Sequence, residues 1–191
     1  HSFSYTARDA FLIAKQQGWR TVLEHIDAGP RMSQIEAELH QRYAQSGRHD
    51  SPATNYWLRW KQECALADCI IANSMWTQEC LITQGVAASK ITVIPLSYSP
   101  PAAALAYQRE YPTAFSLPRP LRILFLGQVT LLKGIMPLLE AMELIADLPV
   151  ELRIVGHLRA EIPSRFLSHP RVRWLGRAKR WEVDQHYREA D

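Results

Sequence analysis

The residues best placed for chemistry are Lys133 and Gly134, which stand just before an apolar stretch of helical periodicity. A helix start presents backbone N–H groups without intrahelical partners, and the helix dipole adds partial positive charge. With an ammonium group beside it, such a start favours a phosphate. Gln128, five residues before Lys133 and next to Gly127, can donate a neutral hydrogen bond to the same anion. Gly127, Gly156 and Gly176 each follow an apolar, strand-like run. In an open parallel sheet, ligands bind beyond the carboxyl ends of the strands, and glycine lets the backbone approach them closely. The segment matches neither GxGxxG nor GxxxxGK[ST], which excludes a dinucleotide fingerprint and a Walker loop. A strand–Gly–loop–Lys-Gly–helix unit also occurs as plain architecture, so the pattern alone leaves both readings open.

The elements that must position these residues follow an α/β rhythm. Ala7, Ala10, Phe11 and Ala14 have the i, i+3, i+4, i+7 spacing of one helix face, and Gly18 can end that helix. Thr21–Leu23 predicts a short buried strand running into a loop over Glu24–Pro30. Ile35 and Leu39 predict an exposed, polar helix. Ser51-Pro52 is a good helix start, continued on one face by Trp57, Trp60, Cys64 and Ala67. Cys69–Ala72 is an apolar run suited to a parallel strand covered on both faces. Ser74 can cap the next helix, Gly85 can end it, and Ile91–Ile94 is the following strand.

Six of the twelve prolines lie within residues 95–120, where missing N–H donors break ladders and helices. The boundaries are therefore a first domain over residues 1–99, a Pro-rich linker over 100–120 and a second domain over 121–191. In the second, Arg122–Leu126, Val150–Val155 and Val172–Leu175 predict strands. Ile135, Leu138, Leu139, Met142 and Ile145 predict one helix, and Arg180–Ala190 another. The alternation of helix and strand predicts parallel sheets.

Composition sets the outer bounds. At 47% hydrophobic and 21% charged residues, 191 residues can build a real core. The net charge of +3 comes without a dense Lys/Arg run, which points away from nucleic acid and suits an anionic ligand or an acidic membrane surface. Three cysteines, Cys64, Cys69 and Cys80, lack CxxC spacing and read as reduced thiols in a cytoplasmic chain. No apolar run approaches the ~20 residues that span a bilayer.

LRILFLGQVTLLKGIMPLLEAM, then ELRIVG, then VRWLGRAKRWEVDQHYREAD resembles the C-terminal domain of family-4 (group 1) GT-B glycosyltransferases. Upstream, ECALADCIIANSMWTQECLITQGVAASKITVIPLSYSP resembles the end of their N-terminal domain. The likeness covers about residues 60–191 well and residues 1–50 loosely. It implies two Rossmann-like domains and transfer, with retention, of a sugar from a nucleotide-diphosphate donor to a hydroxyl of a glycan, lipid or small molecule. The donor is a substrate, so no cofactor is implied, and the sequence shows no metal-ligand cluster.

By that resemblance Lys133 holds the diphosphate, with Gly127, Gln128 and Gly134 around it. Gly156 and His157 lie near the donor, and Arg177 lies near the nucleotide base. His25, beside Asp27 and after a strand, is the candidate for catalysis near sugar and acceptor, against the plainer reading of a loop histidine that caps backbone groups. Family members often carry Arg where this chain has Gln128, which removes a fixed charge. Ser97-Tyr98-Ser99 stands where the pattern usually reads Gly-x-Asp. The N-terminal Gly-rich loop and the E-x7-E carboxylates belong before His1 and after Asp191, so the chain is expected to be a fragment of a longer protein, inactive by itself. Two rival readings share the fold: a non-catalytic nucleotide-binding relative, and a sugar-nucleotide epimerase. Arg8-Asp9, Glu63 and Asp68 read as solvated or capping, and Trp57 and Trp60 as core. Arg171, Arg173, Arg177, Lys179 and Arg180 form a solvated basic face, or a peripheral contact with anionic lipid at the inner face of the membrane.

Overall fold

A computed structural model describes residues 1–43 and 54–191 of the chain. The predicted helix start at Ser51-Pro52 lies outside the described residues. The described chain divides into two compact units, residues 1–37 with 54–99 and residues 38–43 with 100–191.

The first unit is a four-stranded parallel sheet in the order β1 (Ser2–Phe3), β2 (Val22–His25), β3 (Cys69–Ala72) and β4 (Ile91–Val93). Parallel neighbours require crossovers, and helices supply them: α1 (Arg8–Gln16), α2 (Pro30–Arg42, with residues 30–37 in this unit), α3 (Thr54–Leu66) and α4 (Met75–Thr83). Strand β2 runs on to His25, beyond the Thr21–Leu23 stretch that its apolar residues suggest. Its burial alternates, with Leu23 and His25 inward. Phe11, Leu23, Trp60, Ile70, Leu81 and Ile91 form the core together with smaller residues. Ser74 caps α4 by accepting from the Thr77 N–H at 3.1 Å, and Gly18 and Gly85 close α1 and α4 with positive φ. Asp68 ties the layers together: it accepts from the Thr21 N–H at 2.8 Å, the Thr21 hydroxyl at 3.0 Å and the Lys15 ammonium.

The second unit is a three-stranded parallel sheet, β5 (Leu121–Leu126), β6 (Val150–Val155) and β7 (Val172–Gly176), in that order. Its helices are α5 (Ala102–Leu105), α6 (Ile135–Leu144), α7 (Ser164–Leu167) and α8 (Val183–Glu189). Ile135, Leu139 and Met142 of α6 pack with Leu152, Ile154, Phe166 and Val172, which realises the helical spacing seen in the sequence. The Pro-rich stretch 100–120 belongs with this unit. Arg109 donates to the Tyr187 carbonyl, and Arg119 makes a two-pronged ion pair with Asp191 at 2.7 and 2.8 Å. No helix among the described residues is long and apolar enough to cross a membrane, and the three cysteines are unpaired.

Candidate functional site

Beyond the carboxyl ends of β5 and β6 the backbone draws together. Gly127 and Gly156 have φ of 154° and 155°, and the Gly127 N–H donates to the Val155 carbonyl at 2.9 Å. A Cβ placed on Gly156 would stand 1.6 Å from the Gly127 carbonyl oxygen. No side chain fits there, so glycine at 156 is required by close approach of backbone to backbone. The paired glycines open a cleft of about 320 Å³ in front of them. Its lining includes Gly127, Gln128, Gly156, His157, Arg159 and Arg177.

The cleft is electropositive. Among the described residues no carboxylate lines it, while Arg159 and Arg177 both do, and both are exposed. Partial desolvation, then the positive charges of Arg177 and Arg159, hold the His157 imidazole below its usual range, so it is neutral at neutral pH. Arg159 carried no signal as an isolated residue of the sequence. Its place three residues past the strand-ending Gly156 was the available clue.

Five of the predicted donor-site residues, Gly127, Gln128, Gly156, His157 and Arg177, thus meet in one cleft. Lys133 and Gly134 are not among its lining. Lys133 ends a 3-10 turn, exposed, and Gly134 follows in the left-handed conformation with φ 73° as the N-cap of α6. The anticipated helix start exists at Gly134. Pro137 in the first turn has no N–H, and Ile135 and Met136 are buried. The fixed positive charge lining the cleft comes from the guanidinium groups of Arg159 and Arg177.

In the first unit His25 is 1% exposed, and both ring nitrogens are engaged. The Trp60 indole N–H donates to Nε2 at 2.6 Å, so Nε2 is the unprotonated nitrogen. Nδ1 then carries the hydrogen and donates to the Asp27 carbonyl at 2.7 Å. Burial pushes the His25 pKa down against the opposing pull of Asp27, which keeps the ring neutral. Trp60 is core, as its spacing suggests. Glu63 caps: its buried carboxylate accepts the N–H groups of Tyr5, Ala7 and Arg8 at 2.6, 3.0 and 3.2 Å.

Asp27, two residues past the end of β2, is held by one oxygen. Its Oδ1 accepts the Tyr5 hydroxyl and the Gly29 N–H, and its side chain is 31% exposed. Tyr5 is the described non-glycine residue with positive φ, 72°, and its ring stacks on Tyr56 at 5.1 Å between centroids. Burial, then the charges of Asp27 and Glu63, push the Tyr56 hydroxyl up. Among the described residues no group of three or more His, Cys, Asp or Glu is arranged to hold a metal ion.

No protein-family model matches the chain, and no curated protein does. Among solved structures it is similar to Anabaena Alr3699/HepE in complex with UDP and glucose, at 17% identity over 93% of this chain and 47% of that one, with a TM-score of 0.53. The same Anabaena protein in complex with UDP-glucose gives 16% identity, 93% and 48% coverage and a TM-score of 0.53. The lipopolysaccharide outer core galactosyltransferase WaaB, in its apo form, gives 15%, 95% and 51%, with a TM-score of 0.43. The chain spans about half the length of these structures. The likeness to the Anabaena protein establishes the fold, an α/β architecture of Rossmann-like units of the GT-B kind.

Proposed function

We propose that this chain takes part in glycosyl transfer from a nucleotide-diphosphate sugar to a hydroxyl acceptor, with retention, and that the cleft beyond β5 and β6 receives the donor's diphosphate. The observation that carries the reading is the convergence of Gly127, Gln128, Gly156, His157, Arg159 and Arg177 on one cleft at the ligand-binding end of a parallel sheet, with no carboxylate in its lining among the described residues. The chemistry asks for such a place. As the bond between the anomeric carbon and the diphosphate oxygen breaks, negative charge builds on the leaving group, while the acceptor oxygen bonds to the sugar and its proton passes to the departing diphosphate. Arg159 and Arg177 would stabilise that charge, with Gln128 adding a neutral donor where relatives often carry Arg. Lys133, in the loop between β5 and α6, is a further cation within this proposal. The acceptor is a glycan, lipid or small molecule, and the basic residues of 171–180 would support peripheral contact with anionic lipid on the cytoplasmic side of a membrane.

UDP is the natural probe, since the Anabaena structure was solved with it. Calorimetric titration should show UDP binding to the chain, weakened about tenfold or more by Arg177→Ala and by Arg159→Ala, because a charge-assisted hydrogen bond contributes roughly 1.5–3 kcal/mol. Undiminished binding in both variants would remove the cleft as the diphosphate site. Lys133→Ala, measured beside them, tells whether the α6 approach shares the load.

A further inference from the structure

A cavity of about 380 Å³ lies within the first unit, between α3 and the segment that joins α4 to β4. Trp60, Cys64 and Val86 are buried and form its floor. That floor is uncharged. Burial, then the nearby Glu63 carboxylate, push the Cys64 thiol up to about 12, so it stays protonated. The rim is cationic. Lys90 donates to the Ala65 carbonyl at 2.9 Å and to the Cys64 carbonyl at 3.5 Å, which seats its ammonium on the last turn of α3. An ammonium has three donors, so one remains, and no carboxylate pairs with it among the described residues. Lys61 also lines the cavity, exposed, and makes no ion pair among those residues. No Asp or Glu among them lines it. The neutral polar groups are already used. The Trp60 indole N–H donates to His25 at 2.6 Å. The Gln84 amide donates to the Ala28 and Cys80 carbonyls and accepts the Arg31 N–H.

We propose that this cavity is an effector site for a small organic carboxylate, with the apolar body on Trp60 and Val86 and the anion toward Lys61 and Lys90. Apolar walls with a few placed polar groups are the usual make-up of a small-molecule site, and the charge decides the class of ligand. A neutral alcohol would find the Trp60 N–H and both ends of the Gln84 amide taken, and a cation would meet two ammonium groups. The occupant would also act on the loop after β2, because two lining residues fasten that loop. Trp60 holds His25 through its indole N–H, and a Cβ on Gly29 would stand 3.0 Å from its ring. Gln84 holds the Ala28 carbonyl at 3.0 Å and the Arg31 N–H at 3.1 Å. A ligand that shifts the Trp60 ring or the Gln84 amide therefore shifts residues 25–31.

Benzoate is the probe, with benzyl alcohol and benzylamine as partners that keep the ring and change the head group. The isotopically labelled chain is titrated by NMR with each in turn at neutral pH. Saturable benzoate shifts are expected at the amides of Gly85, Ala87 and Lys90 and at the Trp60 indole N–H, with accompanying shifts at the amides of Ala28 and Gly29. Lys61→Glu should weaken benzoate about tenfold, since a charge-assisted contact becomes a repulsive one. Lys90→Met should weaken it by a similar factor, but it also uncaps α3. Lys61 is exposed and makes no ion pair among the described residues, so Lys61→Glu keeps the fold and carries the test if Lys90→Met does not fold. No saturable benzoate shift at the cavity, equal or tighter binding of benzyl alcohol or benzylamine, or undiminished affinity in Lys61→Glu would overturn the site. Benzoate shifts confined to the cavity, with Ala28 and Gly29 unmoved, would overturn its action on the loop.

Discussion

His157 stands in the cleft with Arg159 and Arg177, and its charge state is where the diphosphate reading is most exposed to measurement. In the free protein, desolvation and the two guanidinium groups keep its pKa below the usual range. A bound diphosphate brings negative charge into the same cleft and favours the imidazolium, so the bound pKa lies above the free one. Binding therefore takes up a proton, and affinity rises as pH falls from above the bound pKa to below the free value. Calorimetry of UDP near pH 6 in buffers of different ionisation enthalpy should report this uptake. The ligand's terminal phosphate itself takes up a proton at about pH 6, so the difference between wild type and His157→Gln is the reading that counts. No difference would place His157 outside the anion's reach. His25 shows how far sequence reaches at this scale: a histidine beside Asp27 after a strand was visible, but the atoms that consume its nitrogens come from Trp60, 35 residues away, and from a backbone carbonyl.

At the scale of elements, the ends of β5 and β6 make a sharp contrast between two glycines of nearly equal φ. Gly127 has open space where a Cβ would go, and Gly156 has the Gly127 carbonyl oxygen. Gly127→Ala should cost about 1–3 kcal/mol, the cost of an unfavourable backbone conformation. Gly156→Ala must in addition force the two strand ends apart, so its cost should exceed that of Gly127→Ala, on the order of 4 kcal/mol or more. Urea unfolding followed by circular dichroism ranks the two, and equal stability would mean that the close approach is not a constraint. The strand-ending glycines were legible because buried parallel strands read as apolar runs, so a glycine at the end of each stands out. Strand β1 was not legible. Two residues carry no periodicity, and Ser2–Phe3 pairs with β2 only because the fold brings it there. Arg159 escaped for a similar reason, since a cleft is made by loops converging in space.

Across the molecule, each unit is fastened by one aspartate that joins segments far apart in the chain. Asp68 links α1, the start of β2 and the turn before β3, and the hydrogen bonds of Lys15 and Thr21 lower its pKa to about 2. Asp191 links Arg119 of the Pro-rich stretch to the Arg122 N–H at the head of β5, and Arg119 foremost lowers its pKa to about 2. Both values lie below the ordinary carboxylate value of 3.8, so the folded state binds these protons less readily than the unfolded chain. The stabilisation is accordingly complete above the unfolded pKa near 4 and is lost as pH falls through about 2. Unfolding midpoints in urea should therefore hold from pH 7 to about 5 and fall steeply between about 4 and 2. Asp68→Asn and Asp191→Asn should each lower stability at pH 7 and flatten part of that fall. If the units unfold independently, the two variants will act on different transitions, and fluorescence should separate them. Trp19, Trp57, Trp60 and Trp76 report on the first unit, and Trp174 and Trp181 on the second. An acid profile unchanged by both substitutions would show that these links do not hold either unit together.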